Sequence, residues 1–319
     1  VFAATAIDGA TKVNSGSTES LQTMYTYTMD LNTSFTGDDN LYVRLRSGNG
    51  KVENESGGDI GSHFVKTAFY HTDTYSGGVD TLAVDKIWYT TPIGSSDKWT
   101  ATIGPKIENY YMYAAPVSIY RPGFHKAFKL GSLSGAFGAS TKTGVGIKYV
   151  GDNGFALSSN VVSSSSGTAG FLTNEDEYKW DTMLAYTQDQ YHVSLTLSQQ
   201  HEDWSSFSYY ATALAAGVEE DTNATAYAAR AYWRPQESGT ATPEISVGYD
   251  VITFDGNTTS GYVKEASSYF VGLGWPDMFS DGDYIGIGFG QPLKTTEVVS
   301  GTNADDGTSP FLWEATYSF

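Results

Sequence analysis

The chain has 319 residues, a net charge of −18 and no cysteine. That charge excludes nucleic acid as a partner, because a phosphate backbone demands a basic surface; the lack of thiols excludes a disulfide scaffold or a thiolate-built zinc cage and suits an oxidising compartment such as a bacterial envelope. With 35 Gly, 23 Tyr, 16 Phe and 7 Trp, the composition favours strands and turns, and an all-β chain is expected.

No run of about 18 apolar residues occurs, so no spanning helix is predicted. The opening VFAATAIDG lacks the charged and apolar regions of a secretory signal, and the chain reads as processed or as cut from something longer. Near-average hydropathy does not exclude a membrane barrel, which carries its apolar face in every second residue.

In chain order, the first clear strand covers 23–35: Tyr25, Tyr27, Met29, Leu31 and Phe35 fall on one face, and Met24, Thr26, Thr28, Asp30, Asn32 and Ser34 on the other. After a tight turn around Gly37-Asp38-Asp39, Leu41, Val43 and Leu45 alternate with Tyr42, Arg44 and Arg46. A face lined by arginines is a poor core and belongs beside water, either bulk solvent or a wet lumen. A second tight turn is expected at Gly94-Ser95-Ser96. The stretch from Gly104 to Gly131 is long, rich in Tyr, and holds Pro105, Pro116 and Pro122, so free exposure would leave much apolar area in water. Residues 105–130 are therefore the candidate pore-constriction loop, with Arg121, His125, Lys126 and Lys129 near its end. An outer lid or a contact between copies is the competing reading.

Trp180, Leu184 and Tyr186 alternate with polar residues up to the turn Gln188-Asp189-Gln190, and Tyr191, Val193, Leu195 and Leu197 then alternate with His192, Ser194, Thr196 and Ser198. Further on, Tyr227, Ala229, Ala231 and Trp233 oppose Arg230, Tyr232 and Arg234. The apolar sets Ile245 to Val251, Tyr269 to Trp275 and Ile285 to Phe289 follow, the last with Gly286, Gly288 and Gly290 interleaved. The final strand puts Phe311, Trp313, Ala315, Tyr317 and Phe319 on one face, a terminal aromatic row of the kind that ends bacterial outer-membrane proteins.

Aromatics close several apolar rows, as the interfacial girdles of a membrane barrel require. The named hairpin turns are short, whereas 48–61, 163–178, 254–264 and 294–309 read as long polar loops. The expected architecture is a transmembrane antiparallel β-barrel of about 16 strands, with short periplasmic turns and long extracellular loops, formed by 1–319 as a single domain. The alternation slips in 62–78 and 200–222, which read as either strand or loop. Acidic groups at Glu175-Asp176-Glu177, Glu202-Asp203, Glu219-Glu220-Asp221 and Asp305-Asp306 are expected to be solvated loop charges.

The stretches SFTGDDNLYVRLRSGNG and LAVDKIWYTTPIGSSDKWTATIGP resemble the cyanobacterial major outer-membrane porins related to the carbohydrate-selective porin family. The likeness covers residues 30–50 and 80–105. It implies a homotrimer of 16-stranded barrels in outer-membrane lipid and lipopolysaccharide, and an N-terminal S-layer-homology domain that grips peptidoglycan and is not in this chain. It also implies another strand after EATYSF, while resemblance to general porins implies a constriction loop after an early hairpin, a place comparable to that of residues 105–130.

The function expected is a water-filled channel in the outer membrane of a Gram-negative-type bacterium, passing inorganic ions and small hydrophilic solutes by passive diffusion. Arg44, Arg46, Arg230 and Arg234 would line it as a basic belt, with Arg121, His125, Lys126 and Lys129 at the constriction. Five histidines show no metal-ligand spacing, and no nucleophile-elbow or phosphate-loop motif appears, so no cofactor, metal or catalysis is expected. The alternative is a secreted, lectin-like β-sandwich that binds glycans through exposed aromatics.

Overall fold

A computed structural model describes residues 2–6, 21–48, 80–121, 128, 136–137, 141–164, 167–202, 204, 222–301 and 311–319. Fourteen strands form one sheet in sequence order, every neighbour antiparallel. They are β1 (Phe2–Ala6), β2 (Leu21–Thr33), β3 (Asn40–Gly48), β4 (Ala83–Pro92), β5 (Trp99–Ile107), β6 (Lys142–Val150) and β7 (Phe155–Ser163). The second half holds β8 (Tyr178–Thr187), β9 (Tyr191–His201), β10 (Asn223–Trp233), β11 (Glu244–Asp255), β12 (Val263–Pro276), β13 (Tyr284–Val298) and β14 (Leu312–Ser318). Fourteen described strands stand against the sixteen or so expected. Residues 62–78, and all of 200–222 but 200–202, 204 and 222, lie outside the described residues.

One continuous sheet replaces the two packed layers of the alternative sandwich, and its curvature follows from reach. Tyr111 meets Arg44 of β3 and Trp88 of β4, while Tyr120 meets Glu314 of β14. Nine residues span at most about 32 Å, whereas strands eleven apart in a flat sheet would stand about 53 Å apart. The sheet must therefore curl around this segment into a barrel. Among the described residues no ladder joins β1 to β14.

The strand faces are inverted relative to a soluble protein. Leu184 is 57% and Leu195 53% exposed, and Leu157, Val193, Tyr227 and Val247 are bare beside them. Their alternates Met183, Asp181, Ser194, Thr196 and Arg230 are buried. The C-terminal row behaves as the alternation requires: Phe311, Trp313, Tyr317 and Phe319 face outward, while Glu314 faces in.

Connections segregate by rim. The links 34–39, 93–98, 151–154, 188–190, 234–243 and 277–283, of three to ten residues, share one rim; the links after β3, β5, β7, β9, β11 and β13 leave from the other. Two expected long loops are shorter than read, because strand pairing continues through their polar residues: β11 and β12 leave only 256–262 between them, and β13 extends to Val298. Nor is the 175–177 acidic group only solvated charge, for Asp176 is buried and accepts hydrogen bonds from the Ser163 hydroxyl and the Leu172 amide.

Aromatic rings trace the short-turn rim. Phe35 meets Tyr89, Trp99 meets Tyr149, Phe155 meets Tyr186, Tyr186 meets Tyr191, and Tyr317 meets Phe279 and Phe319, with centroids 4.8–6.3 Å apart. Such amphipathic rings suit the headgroup level of a bilayer. Two of the turns share one device. Asp39 accepts from the Phe35 and Thr36 amides and from the Tyr89 hydroxyl; Asp283 accepts from the Met278, Phe279 and Ser280 amides and from the Tyr317 hydroxyl. Each clamp fixes a turn that leaves a phenylalanine, Phe35 or Phe279, more than two-thirds exposed.

Candidate pore lumen

Inside the barrel residues 108–121 run across the wall from β3 and β4 towards β14. The segment begins at a buried ion pair. A bulge brings Asp85 and Lys86 of β4 inward together, and the Lys86 ammonium lies 2.9 Å from the Glu108 carboxylate, to which Thr141 also donates. The 3-10 turn Asn109–Met112 follows. The Asn109 amide donates to the Asn160 side chain on β7 (2.8 Å) and to the Lys179 carbonyl on β8 (3.1 Å).

Farther along, the Tyr113 hydroxyl donates to Asp181, the Ala114 amide to Ser158, and the Ile119 and Tyr120 amides to Ser246. These inward serines and carboxylates take the place of the backbone ladder that an irregular buried segment lacks. The apolar side chains Tyr113, Ala115, Val117 and Phe137 pack against Met183, Ala185, Ala226, Ala228 and Ile252 of the wall. The segment is thus seated by both polarity and shape.

Tyr120 occupies a recess made of glycine. A Cβ on Gly272 would stand 2.4 Å from the Tyr120 ring, and Gly286 and Gly288 border the same ring. Gly286 and Gly288 of β13 leave room for this ring to approach their backbone. The Tyr120 hydroxyl then reaches Glu314 at 2.7 Å. Burial, then the Glu314 charge, pushes the Tyr120 phenol up; burial, then Asp181, does the same at Tyr113. Both phenols stay protonated donors.

The remaining charges pair across the inner wall. Lys179 and Asp181, fully buried on β8, are 3.5 Å apart, and the Lys179 ammonium also donates to the Ala136 carbonyl. Arg230 on β10 pairs with Asp250 on β11 at 2.8 Å and lies over the rings of Phe137 and Phe270 at 4.6 and 5.3 Å.

Of the sequence-predicted site residues, Arg44 faces inward on β3, 2.7 Å from Asp30 on β2 and 3.4 Å from the Tyr111 hydroxyl. Arg46 is buried on the same face, one register step from Arg44 and opposite Thr28 and Ala83. Arg230 is buried in the mid-wall as described, and Arg234 lies past the end of β10, donating to the Asp189 carbonyl at 2.6 Å. Arg121 ends the described inner segment, 5.6 Å over the Tyr284 ring. The structure brings Arg121 and Arg234 together around one cavity at the short-turn rim, with Glu244, and keeps them apart from the pair on β3. His125, Lys126 and Lys129 lie outside the described residues.

Sequence reasoning missed the roles of Lys179, Asp181, Asp250, Glu314 and the glycine recess. A signal existed for each: these charges alternate with apolar residues whose own face is bare, and Gly286, Gly288 and Gly290 alternate at the start of β13.

No protein-family model matches the chain, and no curated protein sequence does. Solved structures do resemble it. OprB of Pseudomonas putida, determined at high pH, is 12% identical, with a TM-score of 0.52 over 86% of this chain and 70% of that one. A porin of Rhodopseudomonas blastica, in a triple-mutant form, is 12% identical at 0.41, over 85% of this chain and 86% of its own. OmpT, an outer membrane protein of Vibrio cholerae in trimer form, is 10% identical at 0.40, over 89% and 88%. At these identities the likeness concerns the fold: a barrel of porin type.

Proposed function

We propose that the chain forms an outer-membrane channel through which inorganic ions and small hydrophilic solutes diffuse passively. One observation carries this reading: the wall exposes aliphatic rows outward and turns arginine, aspartate, serine and glutamine inward. Water outside would leave the rows unprotected, whereas acyl chains outside and a wet conduit within satisfy both faces. The segment from 105 to 130 is the constriction, because its described part crosses the interior and is pinned to β7, β8, β11 and β14.

Arg44 and Arg46 line the lumen, with Asp30 as a counter-charge across the β2–β3 ladder. The Arg230 charge is already neutralised by Asp250, so it contributes to the wall more than to selectivity. The chain functions as a homotrimer in the outer membrane of a Gram-negative-type bacterium, with lipid and lipopolysaccharide outside, as one domain and without catalysis. The cyanobacterial porin resemblance supports the inorganic-ion reading, and it assigns peptidoglycan binding to a further domain.

The test is planar-bilayer conductance under a salt gradient. Replacing Arg44→Glu together with Arg46→Glu shifts the reversal potential towards cation selectivity. An unchanged potential in a folded, conducting double variant removes these residues from the lumen, and absence of any conductance from the folded protein removes the channel itself.

A further inference from the structure

At the short-turn end of the barrel, where the described inner segment stops at Arg121, lies a cavity of about 490 Å³. Its volume is in the range of small-molecule sites. Arg121, Arg234, Glu244, Gln190, Gln236 and Asp277 contribute to its walls.

Each arginine is anchored by a contact that leaves charge unspent. The Arg121 backbone amide donates to the Tyr284 hydroxyl at 3.2 Å, and its guanidinium lies over the Tyr284 ring. Arg234 uses Nε on the Asp189 carbonyl and its backbone amide on the Gln190 carbonyl. Among the described residues, no hydrogen bond engages the Arg121 guanidinium or the two Nη atoms of Arg234, and no ion pair within 4.0 Å joins either arginine to Glu244.

Glu244 is the opposite half of the same arrangement. Its Oε2 atom is buried and has no hydrogen-bond partner, although both arginines act on it electrostatically. The neighbouring Asp277 already accepts from the Gly282 amide at 2.7 Å and is committed to its turn. A carboxylate oxygen withdrawn from water ordinarily finds a hydrogen-bond donor. Here the buried Glu244 oxygen and two solvent-exposed arginines border a common space without closing on each other, and Asp189, Glu237 and Asp277 line it as well.

We propose that this cavity binds a small zwitterion, an α-amino acid or short peptide, whose carboxylate engages Arg121 and Arg234 and whose ammonium engages Glu244. A guanidinium recognises a carboxylate through two parallel N–H donors. A simple anion would meet the unpaired Glu244 oxygen, and a simple cation would meet the arginines; a solute carrying both charges satisfies all three groups. Binding itself does not depend on the channel, but the role of the site as a way-station for solute rests on the function proposed above.

The experiment titrates serine into the detergent-solubilised, folded protein by calorimetry, with conductance recorded on the same preparation. Saturable serine binding is expected, with acetate and methylammonium at least tenfold weaker. Glu244→Gln and Arg121→Gln should each weaken serine at least tenfold while keeping the heat-modifiable gel mobility of a folded barrel, and Arg121→Lys should recover part of the loss. Acetate binding as tightly as serine, no saturable serine binding, or full serine affinity in both folded variants would overturn the proposal. Ion conductance without serine binding overturns only the zwitterion site; serine binding without conductance overturns only the channel.

Discussion

Replacing Leu195 by arginine tests the inverted amphipathicity most directly. Leu195 sits on β9 with its side chain bare, between Leu184 on β8 and Ala229 on β10. It is four residues from Tyr191, which belongs to the aromatic row of the short-turn rim. At about 3.3 Å per residue and a strand tilt of about 40°, that places Leu195 about 10 Å above the girdle. An apolar band about 25 Å tall then has Leu195 close to its middle, where an outward arginine costs about 2–4 kcal/mol. The same substitution at Tyr191, at the interface, carries only about 0–1 kcal/mol of that depth-dependent charge penalty. Urea-driven unfolding from lipid vesicles, followed by tryptophan fluorescence and by gel mobility before and after boiling, measures both variants. If this face met water, Leu195→Arg would change stability by less than about 0.5 kcal/mol. A neutral Leu195→Arg, or an equal loss at both sites, would refute the assignment of the outer face to lipid.

The Asp39 clamp carries a pH signature. Hydrogen bonds from Ser34, Tyr89 and the Thr36 amide hold its carboxyl below the ordinary carboxylate range, so its contribution is complete above about pH 4 and fades as pH falls towards the depressed folded value. Thermal melts of the detergent-solubilised protein should show Asp39→Asn destabilised at neutral pH and converging on wild type in strong acid; a gap that is constant with pH would contradict the clamp. The glycine recess gives a functional readout. Gly272→Val places new atoms where the Tyr120 ring lies, with even the first of them 2.4 Å from it, which should unseat Tyr120 from Glu314 and raise single-channel conductance in planar bilayers. Unaltered conductance would show that the ring does not narrow the path.

Much of the wall was legible because a strand has a period of two and a lipid-facing barrel makes every second residue apolar. Trp180 with Leu184, Tyr191 with Leu195 and Trp313 with Tyr317 could be assigned to one face from spacing alone, and each lies on the outer surface. Short and long links were also separable, except where polar residues continue a strand: nothing in 254–264 or 294–309 announces that the ladder runs on to Asp255 and Val298. The bulge at Asp85 and Lys86 was invisible for a related reason, since it breaks the period that spacing arguments rely on.

The site was legible only in part. Arg44, Arg46 and Arg230 alternate with the apolar rows of their strands in the sequence, yet what compensates Arg44 and Arg230 is a matter of register. Asp30 lies opposite Arg44 and Asp250 one register step from the residue opposite Arg230, because neighbouring strands pair as they do, and no local pattern encodes that alignment. The composition of the segment around 105–130 predicted an apolar stretch that needs cover; that its cover is Met183, Ile252 and a recess of glycines depended on the wall curling round it.

The sequence by itself thus determined which face of each strand is greasy, because alternation is a one-dimensional property of neighbouring residues. Only the tertiary structure decided which charges meet on the inner face of the sheet, and which, like Arg121, Arg234 and Glu244, border one cavity without pairing. Coulombic and hydrogen-bond energies depend on distances of a few ångströms between residues far apart in the chain, and those distances exist only once the sheet has curled around its inner segment.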